Sequence, residues 1–209
     1  MSRLIAQKRP EILDWDAIYR QGTPSWETGA PAGELVRVVE KGIVRPGTVL
    51  ELGCGTGADA VYLARRGFEV TAVDISPMAV ERARVRAERE DALLRFVLAD
   101  VLEFGPTAGQ FDLVYDAGFY RFIRQHALEK FLDMLWRVTR PGSLYLSLAD
   151  AAGETADWAP PEISEEDIHD ELGRLFEFVH LRPCRREGPR RAKRSRGWSC
   201  LLRRPVVVR

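Results

Sequence analysis

The sequence predicts an α/β chain built on a doubly wound, mostly parallel sheet of seven strands. Three observations point there. Between about residues 48 and 148, short apolar runs alternate with helical patterns, and such repeats argue a parallel sheet covered on both faces. The first run, Val49–Leu52, passes straight into Gly53-Cys54-Gly55-Thr56-Gly57 and then into a helix-like pattern. Two further apolar runs near the C-terminus, joined by a long loop, complete the seven strands.

Taken in order, Asp14 to Arg20 reads as a short helix capped by Asp14, with Trp15, Ile18 and Tyr19 on one face, broken by Gly22 and Pro24. Pro31 to Lys41 repeats Leu35, Val38 and Val39 at helical spacing, and Gly42 suits its C-terminal end. The parallel strands are expected at Val49–Leu52, Glu69–Val73, Leu94–Leu98, Leu113–Tyr115 and Ser143–Leu148. The helices between them are expected over Ala58–Arg65, Pro77 to about Glu90 (capped by Ser76), and Ala127–Val138. Ser164 to Arg174 starts as a capped helix with Glu165, Glu166 and Asp167 in its first turn, where acids suit the helix dipole. Phe176–Leu181 and Ser199–Leu202 are the last two strands.

At 209 residues with 45% hydrophobic content and five tryptophans, one domain with one sizeable core is expected, residues 1–46 forming a helical lid or cap. Thirty-one bases balance 31 acids, so the whole-molecule field gives no reason to expect nucleic acid or an anionic membrane as partner. No apolar run reaches membrane-span length, and Met1–Gln7 holds no adequate apolar stretch for a secretory signal. Cys54, Cys184 and Cys200 are odd in number and lack paired spacing, which fits a reducing, cytoplasmic setting and neither a disulfide frame nor a zinc site. The three histidines likewise lack metal-ligand spacing, so no metal is expected. A monomer or weak homodimer is the expected state.

Gly53, Gly55 and Gly57 allow a tight turn and let a ligand lie against the backbone, with the N–H groups of the next helix behind it. Gly53-x-Gly55-x-x-Ala58 with Asp74 downstream also fits a dinucleotide fingerprint. Two details oppose that reading. Glu51 would repel a pyrophosphate but attract a cationic aminoacyl group, and Asp100, ending Phe96-Val97-Leu98-Ala99, can accept from an adenine amino group. Acids ending three strands suit an ammonium, a ribose and an adenine without phosphates, which are the parts of S-adenosylmethionine.

The series Glu51-x-Gly53-x-Gly55-x-Gly57, Asp74, Asp100 and Phe111-Asp112-Leu113-Val114-Tyr115-Asp116 resembles the motifs of class I S-adenosylmethionine-dependent methyltransferases, over about residues 47 to 149. Trp15-x-x-x-Tyr19, Pro24-x-Trp26-x-x-Gly29, Asp116-Ala117-Gly118-Phe119-Tyr120 and Arg196-Gly197-Trp198 are similar to the thiopurine, thiol and halide subgroup. The resemblance implies a Rossmann-like sheet whose last two strands form an antiparallel hairpin. It implies Glu51 near the donor's ammonium, Asp74 at the ribose, Asp100 and Val101 at the adenine, and Asp116 facing the methyl donor, with Ile75 also among the donor-binding residues. Trp26 is expected to close over the donor, and Tyr19 and Tyr120 to line the substrate side. One departure touches the acceptor: the subgroup's Gly-Pro-Pro-aromatic stretch reads Ala159-Pro160-Pro161-Glu162 here, with Trp158 just before it.

Methyl transfer to a small nucleophile (thiol, thiopurine-like heterocycle, halide or hydroxyl) is therefore the expected activity, by in-line displacement, which demands alignment and exclusion of water more than a catalytic dyad. Eight bases and one acid between Arg182 and Arg196, after nine acids between Asp150 and Glu171, keep a nucleic-acid methyltransferase as an alternative to a solvated hairpin loop neutralised by the acidic segment. The chain carries no Asn-Pro-Pro-Tyr or Asp-Pro-Pro-Tyr motif for base amino groups. An NAD-binding oxidoreductase and a non-catalytic S-adenosylmethionine-binding regulator are the other rivals.

Overall fold

The computed structural model describes residues 13–24, 26–104, 110–150, 162–187 and 194–206. Its elements are α1 (Trp15–Arg20), α2 (Gly33–Glu40), β1 (Thr48–Leu52), α3 (Ala58–Arg65), β2 (Glu69–Asp74), α4 (Pro77–Arg89) and β3 (Arg95–Leu98). A 3-10 turn (Val101–Glu103) follows, then β4 (Phe111–Asp116), α5 (Phe119–Val138), β5 (Thr139–Asp150), α6 (Glu165–Leu172), β6 (Glu177–Glu187) and β7 (Arg194–Arg203).

The seven strands form one sheet in the order β3-β2-β1-β4-β5-β7-β6. The first five run parallel, and β7 lies antiparallel between β5 and β6. Strand order reverses between β1 and β4, and ligands of open α/β sheets bind in the crevice outside the strand C-termini at such a reversal. In β1, Leu50 and Leu52 face one core, shared with Val114, Tyr145, Phe131 and Leu135 and with Ile168 and Leu172 of α6. The other face buries Val49 with Leu113, Tyr115 and Leu146 beneath Leu35 and Val38 of α2 and Ala60 and Leu63 of α3. The strand period of two assigns Glu51 to this second face.

Local sequence signals set most helix starts. Asp14 accepts from Ala17 N, Ser76 from Ala79 N, and Ser164 forms a reciprocal capping box with Asp167. Gly42 follows α2 at φ +65°, the conformation expected of a residue just past a helix end.

Three expectations change. The helix expected from Ala127 begins at Phe119, and Ala127 is non-helical (φ −153°, ψ 45°) where two helical segments abut. The last two strands reach well beyond their apolar centres: Arg182 pairs with Ser199, Arg185 with Arg196 and Glu187 with Arg194. Much of the basic run expected as a loop is therefore ladder, in which backbone bonds rather than apolar alternation hold the chain. Arg182 finds its anion on α2, at Glu34, whereas acids of α6, Asp167 and Glu171, pair with Arg124 of α5. Trp158 and Ala159-Pro160-Pro161 lie outside the described residues.

Candidate active site

The glycine turn follows β1 directly, at the point where the strand order reverses between β1 and β4. Gly53, Gly55 and Gly57 all have left-handed backbones (φ 64°, 53° and 76°). Two of them are also required by close approach. A Cβ on Gly57 would stand 2.9 Å from Ala83 Cβ, so glycine lets the start of α3 pack on α4. A Cβ on Gly55 would stand 2.6 Å from Glu27 Oε1 and 2.9 Å from the Tyr19 hydroxyl.

Asp74, at the end of β2, is almost fully buried and accepts from Gly55 N at 2.8 Å through Oδ2 and from Ser76 N at 2.9 Å through Oδ1. Burial raises its pKa, while the backbone bonds from Ser76, Gly55 and Ile75 oppose that. Three N–H donors still leave acceptor capacity on the carboxylate for a further donor. Ile75 is 53% exposed, an apolar side chain presented at the sheet's C-terminal rim.

Glu51 is buried, and its Oε2 has no hydrogen-bond partner. Desolvation first, and then the field of Asp59, Asp74 and Glu27, push its carboxyl well above the usual carboxylate range. An unmet polar atom of this kind costs about 1–3 kcal/mol, and at the end of β1, directly before the glycine turn, a donor brought by a ligand would remove that cost. An ammonium fits it; a pyrophosphate facing Glu51, Glu27 and Asp74 does not.

Over the glycine turn lies the segment between Trp15 and Gly29. Asp16 accepts from Ser76 Oγ (2.8 Å) and Met78 N (2.9 Å), anchoring α1 on the start of α4. Those bonds, with Met78 N first, hold its pKa below the usual value. Arg82 reaches Gly22 O and Tyr19 O at 2.7 Å each, and Arg86 reaches Gly29 O (3.0 Å) and Thr56 O (2.9 Å). Glu27 accepts from Thr56 N at 3.2 Å and from Thr56 Oγ1. Trp26 donates to the Tyr19 hydroxyl at 3.4 Å and packs edge-on against Trp15, which itself meets Phe122 of α5 with ring centroids 4.8 Å apart.

The structure thus gathers Tyr19, Trp26, Glu51, Gly55 and Asp74 around one turn, with Gly53 beneath Phe119 (3.0 Å from a built Cβ). Asp100 is exposed and caps the turn Val101–Glu103 through Leu102 N (2.9 Å), and Val101 is buried beside it. Two expected site residues sit elsewhere than anticipated. Tyr120 is fully buried, stacked on Phe131, with its hydroxyl donated to Glu171 at 2.7 Å. Asp116 is fully buried too, accepting from Tyr145 Oη (2.7 Å) and Tyr120 N (3.1 Å), so it braces the turn from β4 into α5. The Cys54 thiol is buried, which pushes its pKa well above the usual value and keeps it protonated.

The sequence reading missed Glu27, Asp16 and Asp59. Asp59 accepts from Ala32 N and Tyr115 Oη, both at 2.7 Å, and fastens the chain before α2 to α3 and β4. All three act through partners 27 or more residues away, which no local periodicity reports. The one available signal was an acid beside Trp26 in an aromatic-rich segment.

Comparisons with known proteins agree with this geometry. A family model for the methyltransferase domain matches residues 49–142. The chain is 30% identical over 165 residues to the 2-heptyl-1-hydroxyquinolin-4(1H)-one methyltransferase of Mycobacteroides abscessus, covering 78% of this chain and 72% of that protein. It is 28% identical over 170 residues to "Probable thiol methyltransferase 2" of Arabidopsis thaliana (80% and 75%). A solved structure from work on the conversion of a disulfide bond into a thioacetal group during echinomycin biosynthesis superposes with a TM-score of 0.79, at 27% identity and 92% coverage of each chain. With the switch-point crevice, the glycine turn and the unmet Glu51 carboxyl, these relatives set the NAD-dependent reading aside: the chain belongs to the class I S-adenosylmethionine-dependent methyltransferases.

Proposed function

We propose that this methyltransferase acts on a small, polarizable or heteroaromatic nucleophile: a thiol, thiopurine-like heterocycle or halide first, a phenolic or heterocyclic hydroxyl second. The observation that carries the proposal is the aromatic segment seated on the glycine turn, where Trp26 packs edge-on against both Trp15 and Tyr19 and Trp15 in turn meets Phe122. Such walls exclude water and favour a flat or polarizable acceptor over a long polyanion. When bound, S-adenosylmethionine supplies a methyl carbon on a sulfonium, open to in-line displacement.

This chain's residues bind and align. Asp74 offers its remaining lone pairs to the ribose, Ile75, Asp100 and Val101 border the adenine, and Glu51 takes the ammonium. Trp26 and Tyr19 close over the donor. The Tyr19 and Tyr120 phenols are both pushed upward in pKa, first by burial, so neither takes a proton from the acceptor. That suits a nucleophile already anionic near neutrality, such as a thiolate, a halide or an acidic heterocyclic hydroxyl. The names of the two relatives, one a hydroxyquinolinone and one a thiol enzyme, support the same two acceptor classes.

A panel of heteroaromatic thiols, alkyl thiols, halides, hydroxyquinolines and bulk RNA, incubated with methyl-labelled donor at low and moderate salt, tests the reading. Turnover is expected on heteroaromatic thiols or hydroxyls. Salt-sensitive methylation of RNA with no small-molecule product would overturn it, because phosphate-driven binding weakens steeply with salt.

A further inference from the structure

We infer that Glu27 reads the charge of the methyl donor, making the site prefer the cationic sulfonium over the neutral thioether product. The inference rests on the donor placement proposed above and is independent of the acceptor.

Glu27 touches the glycine turn directly. Its Oε1 stands 2.6 Å from where a Cβ on Gly55 would be, and its two oxygens accept from Thr56 N, Thr56 Oγ1 and, at 3.5 Å, the Tyr19 hydroxyl. All these donors are neutral. Among the described residues no Lys or Arg forms an ion pair with Glu27, Glu51 or Asp74. Arg86, whose guanidinium reaches the turn, donates to the carbonyls of Thr56 and Gly29 and pairs with Glu90. Three carboxyls therefore border one loop with no cation paired to any of them among the described residues, and the buried Oε2 of Glu51 lacks even a hydrogen-bond partner.

The donor and its product share the ammonium, the carboxylate and the adenosine. They differ by the methyl group and the positive charge on sulfur. Glu51 and the ammonium interact alike in both, so discrimination must come from a carboxylate whose field reaches the sulfur, between the methionine end on the glycine turn and the ribose at Asp74. Asp74 is fixed by two backbone N–H bonds. Glu27 is delivered by the overlying segment, so the charge arrives together with the cover. A carboxylate that favours the sulfonium weakens when the charge leaves with the methyl group, which assists product exchange.

Calorimetry with S-adenosylmethionine and S-adenosylhomocysteine on wild type, Glu27→Gln and Glu27→Asp reads this directly. Glu27→Gln should weaken the donor about tenfold while changing the product less than about threefold, where tenfold corresponds to about 1.4 kcal/mol. Glu27→Asp, which keeps the charge and shortens the reach, should retain the discrimination. The wild-type donor-to-product preference should also shrink with added salt, and that of Glu27→Gln should not. Equal weakening of both ligands by Glu27→Gln would reduce Glu27 to a structural brace. Tightening of both would make it a plug that ligands displace, and either result overturns the charge reading. If Asp74→Ala weakened neither ligand, the donor placement itself would fall and the inference with it.

Discussion

Gly55 joins three parts of the molecule in one residue: its N–H is held by Asp74, a Cβ on it would meet Glu27 and Tyr19, and its φ of +53° belongs to the left-handed region. Gly55→Ala meets both problems at once. The backbone strain alone is about 1–2 kcal/mol, and the new methyl must push the Glu27 carboxylate or the Tyr19 hydroxyl away. The expected outcome is a lower unfolding temperature and at least about tenfold weaker binding of S-adenosylhomocysteine, since about 1.4 kcal/mol is a factor of ten. Unchanged affinity by calorimetry would mean that the overlying segment is not part of the donor site. Asp74→Asn tests the neighbouring contact. An amide turns one of two acceptors toward an N–H as a second donor, so Gly55 or Ser76 loses its partner and the ribose loses a charged acceptor. A loss of about 1.5–3 kcal/mol in ligand binding is expected for a hydrogen bond to a charged group. The glycines and Asp74 were legible in the sequence because strand, turn and helix follow one another directly. Glu27 was not, because its partner Thr56 is 29 residues away. Tyr120 was misplaced for a related reason: its adjacency to the β4 turn suggests the crevice, yet the first turn of α5 rotates it inward to Glu171, 51 residues on.

At the scale of elements, α1 is the instructive case. Six residues cannot sustain a helix alone, so its order comes from docking: Asp16 on the start of α4 and Arg82 back to Tyr19 O and Gly22 O. A short element that depends on such docking, with only Tyr19 buried, belongs to the low-stability end of a fold, where ligands bias opening. Hydrogen exchange across Trp15–Gly29 should therefore slow when S-adenosylhomocysteine binds. Asp16→Ala should speed exchange in that segment while leaving β1 and β4 unchanged. If ligand left the segment's exchange untouched, it would be a brace rather than a cover. Helix starts were readable here, since Asp14, Ser76 and Ser164 each cap through a bond three residues on. The β6–β7 ribbon was read too short. Its outer half is a ladder of charged residues whose pairing partner, not composition, makes it a strand. The first half of α5 was missed because the break at Ala127 interrupts the helical period.

Across the whole molecule acids and bases are equal in number, and the response to pH rests on individual groups whose surroundings move their pKa. Asp16, Asp112 and Asp167 are held below their usual pKa, chiefly by hydrogen bonds from Met78, Thr48 and Ser164. Their contribution to stability is present above the unfolded aspartate value and is lost as pH falls through the folded values. Glu51 runs the other way. Burial and the field of Asp59, Asp74 and Glu27 raise its folded pKa, so its contribution is fully present below the unfolded glutamate value of about 4.3 and disappears as pH rises through the raised value. Glu51→Gln removes this term. The variant's unfolding temperature should match wild type in acid and exceed it progressively as pH rises toward neutrality. A bound ammonium reverses the balance, because it favours the ionised carboxylate. Between the usual carboxylate range and the raised value, donor binding to wild type should release a proton, seen as a binding enthalpy that changes with the ionisation enthalpy of the buffer. Glu51→Gln should bind more weakly and show a smaller dependence on buffer. Identical proton release in both proteins would assign the released proton to another carboxyl of the glycine turn, with Asp74, whose pKa burial raises, the first to test.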